Sequence, residues 1–238
     1  MEPGDEPPDW FQQYNAGGLV ERDLQRPVQL PSVVVRTVCA SCDNGWMANL
    51  EATTKPLLQP MIRGNQAVLT PEQQLQVATW ASKTVVAFES NEPTAPVTLP
   101  GDRELIRLQG RPPAHHRVRL GSRDAVMESL VVNFRVGRSI DAPDEKPNVF
   151  ATVIGLGFLL IQIWGGHGYG GGSVAQPGTS SARALMVWPP TLGTATWPPR
   201  LSVDDEDFDA FSAEVIPWVD DSPGLEDWRK MRRLNEPK

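Results

Sequence analysis

The sequence predicts an α+β protein: a partial zinc-knuckle strand and helix, then a helical pair, then a C-terminal antiparallel β-sheet. Three observations carry that prediction. Cys39 and Cys42 close a β-branched run, Val33 to Val38, and lead directly into helix-compatible sequence; a Cys-x-x-Cys turn brings two thiolates to one point while the backbone reverses. Apolar residues then recur at helical spacing as far as Phe88. From His116 the period changes to two, in runs separated by turns with no helix between them, which favours antiparallel pairing.

Composition narrows the class. With 40% hydrophobic and 21% charged residues, the 238-residue chain falls among folded globular proteins and has the length for a sizeable core. A net charge of −7 weighs against coating nucleic acid through bulk charge, but leaves room for a local basic patch. The first eight residues are acidic and proline-rich where a secretory leader would be basic and apolar, and the chain has only two cysteines, so a reducing cytoplasm is expected. Val149 to Trp164 is the most membrane-like stretch. It contains Thr152, Gln162, Gly155 and Gly157 and falls short of the roughly 20 apolar residues of a helical span, so it reads as buried strand and no membrane association is expected.

The chain divides into four regions. Residues 1–31 carry GDEPPDW and NAGG without either periodicity and read as a flexible N-terminal arm, anchored locally by Trp10 and Phe11. Residues 32–92 are the partial knuckle and helical region. Val33, Val34, Val35, Thr37 and Val38 favour a strand into the turn, and Asp43 and Asn44 can accept hydrogen bonds from the first free amides, so a helix is expected to begin there. Trp46, Leu50, Thr53 and Leu57 share one face of that helix, and Pro56 is expected to kink it or end its regular part. Thr70, Pro71, Glu72 and Gln73 supply a cap hydroxyl, a proline at the first helical position and a glutamine able to close a capping box. The second helix therefore opens there. Its apolar residues from Leu75 to Phe88 make it a core helix packed on the first.

Pro100-Gly101 reads as a turn and Asp102 to Leu108 as a short third helix. Residues 101–200 form the mostly antiparallel region, with strands over Val118 to Leu120, Leu130 to Val136, Val149 to Trp164 and Ala184 to Trp188. Gly155 and Gly157 mark a bulge or bend, and the glycine-rich stretch 165–172 reads as a loop holding His167. Residues 201–238 read as a solvated acidic tail with one short helix, whose first-turn carboxylates suit its dipole and which Trp218 and Trp228 might help to anchor.

The cysteine pair has three chemical readings. Cys39 and Cys42 are metal ligands for a structural Zn2+, or a redox dithiol at a helix head, or ordinary core residues. As a zinc site the pair is incomplete, because residues 30–55 offer no histidine and no third cysteine. His115, His116 and His167 are the histidines of the chain. His115 and His116, with Asp43, form the candidate metal or phosphate neighbourhood. They precede a basic stretch containing Arg103, Arg107, Arg111, Arg117, Arg119, Arg123, Arg135 and Arg138, in which Arg117, Arg119 and Arg123 alternate along one strand face and are the candidate nucleic-acid-binding residues. The competing reading is a solvated sheet face with two exposed histidines.

The box CASCDNGWMANLE, followed by KPLLQPMI and VATWASKTVVAFE, resembles bacterial HNH endonuclease-like proteins. The matching residues are Cys39, Cys42, Asn44, Gly45, Trp46, Met47, Leu50 and Glu51, then Lys55, Pro56, Trp80, Lys83 and Glu89, and looser similarity continues to the Trp-Pro-Pro segments at Trp188 and Trp197. The resemblance implies a treble-clef fold with a structural zinc held by two cysteine pairs. It also implies a Glu-His segment whose histidine is the general base of metal-dependent phosphodiester hydrolysis, with Mg2+ or another divalent cation on the scissile phosphate. The chain departs from that pattern in having no cysteine or histidine in residues 1–38, and in carrying Asp43 where the family has Asn or His. An aspartate can bind a hard cation.

The expectation is thus a truncated or degenerate HNH endonuclease-like protein that binds DNA weakly and does not cleave it by itself; no catalytic residue is assigned. A longer natural chain carrying the missing half-site ahead of Met1 is a further expectation. The competing class is a noncatalytic structural or protein-interaction module.

Overall fold

The computed structural model describes residues 12–15, 18–21, 38–90, 97–136, 149–166 and 182–213. The elements run β1 (Gln12–Asn15), β2 (Gly18–Glu21), α1 (Ala40–Cys42), α2 (Ala48–Ile62), β3 (Ala67–Leu69), α3 (Pro71–Ser90), α4 (Pro100–Gln109), β4 (Arg117–Val136), β5 (Val149–Gly166), β6 (Ala184–Trp188), β7 (Ala195–Trp197) and α5 (Asp205–Ala213). The entry strand expected over Val33 to Thr37, the loop with His167, and Trp218 and Trp228 lie outside the described residues.

β4 is the strand around which the sheet forms. It pairs antiparallel with β5 along its length, from Arg117 opposite Trp164 to Val136 opposite Val149. Its other edge is shared: β6 pairs antiparallel over Val118 to Gly121, and β1 pairs parallel over Val132 to Phe134. β2 completes the sheet as the antiparallel partner of β1. Two expectations change here. Part of the supposed arm contributes a hairpin to the sheet, and the sheet carries one parallel pair. Four-residue strands hold too few alternations to register as a period.

The expected bend in β5 is present. The β4–β5 register slips between Ser122 and Leu130, where Met127 faces Gly157. Gly157 takes φ +59°, a left-handed conformation that glycine adopts without steric cost, and its bare Cα lies against the end of α2 at Ile62.

α2 and α3 pack on each other and on this face of the sheet. Val77, Ala78, Ala81 and Val85 of α3 meet Leu58 and Met61 of α2 and Val118, Leu120, Ile161 and Ile163 of the sheet in one buried cluster. The capping box forms as its sequence suggests: Thr70 N–H donates to Gln73 Oε1 (2.9 Å) and Gln73 N–H to Thr70 Oγ1 (3.3 Å). α2 does not end at Pro56; it runs through Pro56 and Pro60 to Ile62. Each proline deprives a carbonyl four residues back of its partner, but those carbonyls belong to the exposed Ala52 and Pro56, within reach of water. Burial of Leu58 and Met61, worth about 1.5–3 kcal/mol per side chain, outweighs the loss. Pro100-Gly101 likewise opens α4 instead of forming a separate turn, with Leu99 N–H donating to the Asp102 carboxylate (3.1 Å).

The other sheet face is covered by α5. Phe208 and Phe211 are buried there, and Asp205 and Asp207 pair with Arg123 and Arg183. The region expected to be a solvated acidic tail therefore begins with a docked helix, because its carboxylates meet arginines of the sheet while its phenylalanines close the face. Gln74 ties α3 to the far end of the chain: its amide donates to Leu69 O (3.2 Å) and Gly193 O (2.8 Å), and its carbonyl accepts from Thr191 N–H (2.9 Å). β3 and β7 pair antiparallel beside it. The result is a mixed fold of helices on a small, mostly antiparallel sheet. Among the described residues no helix is long and apolar enough to cross a membrane.

Candidate functional site

Cys39 sits in extended conformation (φ −69°, ψ 146°) at the head of α1, and its carbonyl accepts from Cys42 N–H (2.9 Å) and Asp43 N–H (3.0 Å). The turn thus places both sulfurs at one helix head. Residues Asp43–Met47 then make a wide, irregular turn in which Gly45 (φ −103°, ψ −111°) leaves helical geometry before α2 begins. Cys39 is exposed, Cys42 half-buried, and both are free thiols. Ser41 Oγ lies 3.2 Å from Cys39 Sγ. That hydrogen bond, then further ones from Cys42, and finally the charge of Arg107, lower the Cys39 pKa to about 7.

Two cavities adjoin the turn. The smaller, about 310 Å³, is lined by Cys39, Cys42, Trp46, Lys83, Arg103 and Arg107 among others, and no acidic residue lines it. The larger, about 1070 Å³, is a groove between α2 and α3 lined by Asp43, Glu51, Lys55, Arg63, Trp80 and Lys83 among others. Met47 and Lys83 belong to both. Lys83 Nζ stands 2.5 Å from Glu51 Oε1; the lysine side chain is only 7% exposed, the glutamate 57%. A buried ammonium needs such a partner to remain charged. Most residues that carry the family resemblance therefore gather around the cysteine turn, although they are spread over three elements. Glu89 is the exception: its carboxylate accepts from Val97 N–H (3.3 Å) and Thr98 N–H (3.1 Å) and holds the chain entering α4.

The other candidates lie elsewhere. Asp43 is exposed beside the turn. His116 is fully buried, with Nδ1 3.1 Å from Ser82 Oγ and its ring edge-on to Phe150. His115 is half-buried, its Nε2 3.6 Å from Asp102 Oδ2. Neither histidine lines the cysteine cavity. Arg117 donates to the carbonyls of Ala114 (2.6 Å) and His116 (2.7 Å), and burial lowers its pKa. Arg119 is fully buried: it donates to Gln162, and its guanidinium stacks over Trp164 and Phe211, 5.4 Å from each ring centroid. Arg123, 7% exposed, pairs with Asp205 over the Phe208 ring. The alternation placed these arginines on one face as expected, but that face is roofed by α5 and not open to solvent.

The residues singled out from sequence did not include Arg103 and Arg107 as site residues. Their spacing of four on a short helix was the available signal, since it puts both on one face.

Two thiolates on one surface turn suit the soft donors of a tetrahedral zinc site and supply half of it. Among the described residues no group of three His, Cys, Asp or Glu is placed to hold a metal. Zinc at Cys39 and Cys42 therefore takes its remaining ligands from outside the described residues, and Mg2+ would meet only single carboxylates such as Asp43. Comparison of the chain with protein-family models, with curated proteins and with solved structures returned no match.

Proposed function

We propose that this chain is a nucleic-acid-binding scaffold of the HNH endonuclease-like kind, in which Cys39 and Cys42 supply two ligands of a shared or split structural zinc site. The observation that supports this reading is the convergence of Cys39, Cys42, Trp46, Met47, Glu51, Lys55, Trp80 and Lys83 around one turn and its two cavities. Cleavage is not part of the proposal: His116 is buried against Ser82 and Phe150, and a general base must reach the water it deprotonates. A Mg2+-dependent step would need a histidine brought to the turn from elsewhere.

Elemental analysis of the purified chain, run beside free-thiol titration and DNA binding across salt concentration, tests the reading. Zinc at one equivalent per chain, or one per two chains, with masked thiols and salt-dependent DNA binding, is the expected result. Absence of zinc, two freely reactive thiols and no DNA binding would overturn it. That outcome would leave the second reading, a noncatalytic structural or protein-interaction module, which the internal use of His116, Arg119 and Arg123 favours.

A further inference from the structure

Building on the nucleic-acid reading, we infer that Arg103 and Arg107 of α4, not the arginines of β4, form the phosphate-binding site, and that the cavity they share with Cys39, Cys42 and Lys83 takes a phosphodiester of a nucleic-acid backbone. The argument starts from which cations the fold leaves available. Arg119 and Arg123 are buried and engaged with Gln162 and Asp205, and Arg117 is turned onto backbone carbonyls. Arg103 and Arg107 have no hydrogen-bond or ion-pair partner among the described residues, and the buried Nε of Arg103 is left without an acceptor. A buried donor without a partner carries a desolvation cost that an incoming oxyanion removes.

Geometry adds to charge. Residues four apart on a helix stand about 5–6 Å apart at Cβ, so the two guanidinium groups can converge on the two free oxygens of one phosphodiester. The cavity between them and the cysteine turn holds about 310 Å³ and contains three basic residues and no acidic one, in a chain of net charge −7. Lys83 contributes less than its full charge because Glu51 pairs with it from the neighbouring groove. The net attraction therefore comes from α4. Trp46 on the same wall gives the cavity an aromatic side against which a sugar or base can rest.

The test is binding of a fluorescent DNA duplex by the full chain, followed by anisotropy over a range of salt. The set comprises the wild type, R103Q/R107Q, R103K/R107K and the remote exposed control R200Q, with thermal melts confirming that each is folded. The expected result is a loss of at least 10-fold in affinity for R103Q/R107Q, with a log K against log salt slope flatter by about 2, near 0.9 per lost phosphate contact. R103K/R107K should retain the slope and R200Q should match the wild type. If the wild type binds with a clear salt dependence and R103Q/R107Q binds equally well, this inference falls while the proposed function stands. If the wild type does not bind DNA at all, both fall together. A third arm separates the sources of phosphate: if inorganic phosphate at matched ionic strength displaces the duplex at micromolar concentration, the site is built for a free anion and the assignment to a nucleic-acid backbone is overturned.

Discussion

Replacing Gly157 with alanine tests whether the bend in β5 exists to receive the end of α2. Two costs are separable, because Gly110 supplies a control at the same backbone geometry: both glycines have φ +59°. An added Cβ at Gly110 would meet nothing within 4 Å, whereas at Gly157 it would press on the Ile62 carbonyl oxygen, with Ile62 Cγ2 at 3.2 Å and the carbonyl carbon at 3.3 Å. The left-handed backbone costs an alanine about 1–2 kcal/mol, offset by about 0.4–1 kcal/mol of unfolded-state entropy. Gly110→Ala should therefore lose about 1 kcal/mol. Gly157→Ala should lose that amount plus an overpacking cost of about 1–3 kcal/mol, because its obstacle is backbone and cannot rotate away. A total of about 2–4 kcal/mol is expected from urea unfolding, read as the midpoint at constant m-value. Equal losses in the two variants would refute the packing argument and leave only the torsional one.

Other consequences follow from contacts already described. In the metal-free chain, alkylation of Cys39 should rise through a midpoint near pH 7, because the lowered pKa populates the thiolate above that pH and loses it below; Ser41→Ala should move the midpoint upward, and mass spectrometry of the alkylated peptide over pH reads both. Gln74→Ala strands the carbonyls of Leu69 and Gly193 and the Thr191 amide, so a loss of about 2–4 kcal/mol is expected in denaturant unfolding. Phe211→Ala should cost about 3 kcal/mol and speed amide exchange in α5, since the ring packs on Gly121 and under the Arg119 guanidinium.

What the sequence made legible was local. The Thr70–Gln73 box, the helical face of α3, the bend at Gly157 and the placing of two thiolates on one turn all depend on residues a few positions apart, and all appear. The prolines of α2 misled because their cost depends on where the orphaned carbonyls face, and exposure of Ala52 and Pro56 is a tertiary fact. The β4 arginines misled for the same reason. Period two correctly put Arg119 and Arg123 on one face, but the roof over that face, Phe208 and Phe211, comes from more than eighty residues later in the chain. The site was legible as a list of matching residues but not as a place. Only the packing of α2, α3 and α4 brings Glu51, Lys83 and Arg107 to the cysteine turn.

The pairing of β3 with β7 has a consequence for how the molecule is made. Ala67 sits opposite Trp197, and the Trp197 indole donates to Gly121 O (2.9 Å), so the partners of early elements emerge late. At about 5–20 residues per second, the ribosome leaves roughly 5–20 seconds between completion of α3 and delivery of Trp197. Throughout that interval Val77, Ala81 and Val85 have no sheet to lie against. A nascent chain of this topology presents chaperones with an amphipathic helical pair well before it can close, and its yield on overexpression should depend more on translation speed and holdase supply than on the stability of the finished fold.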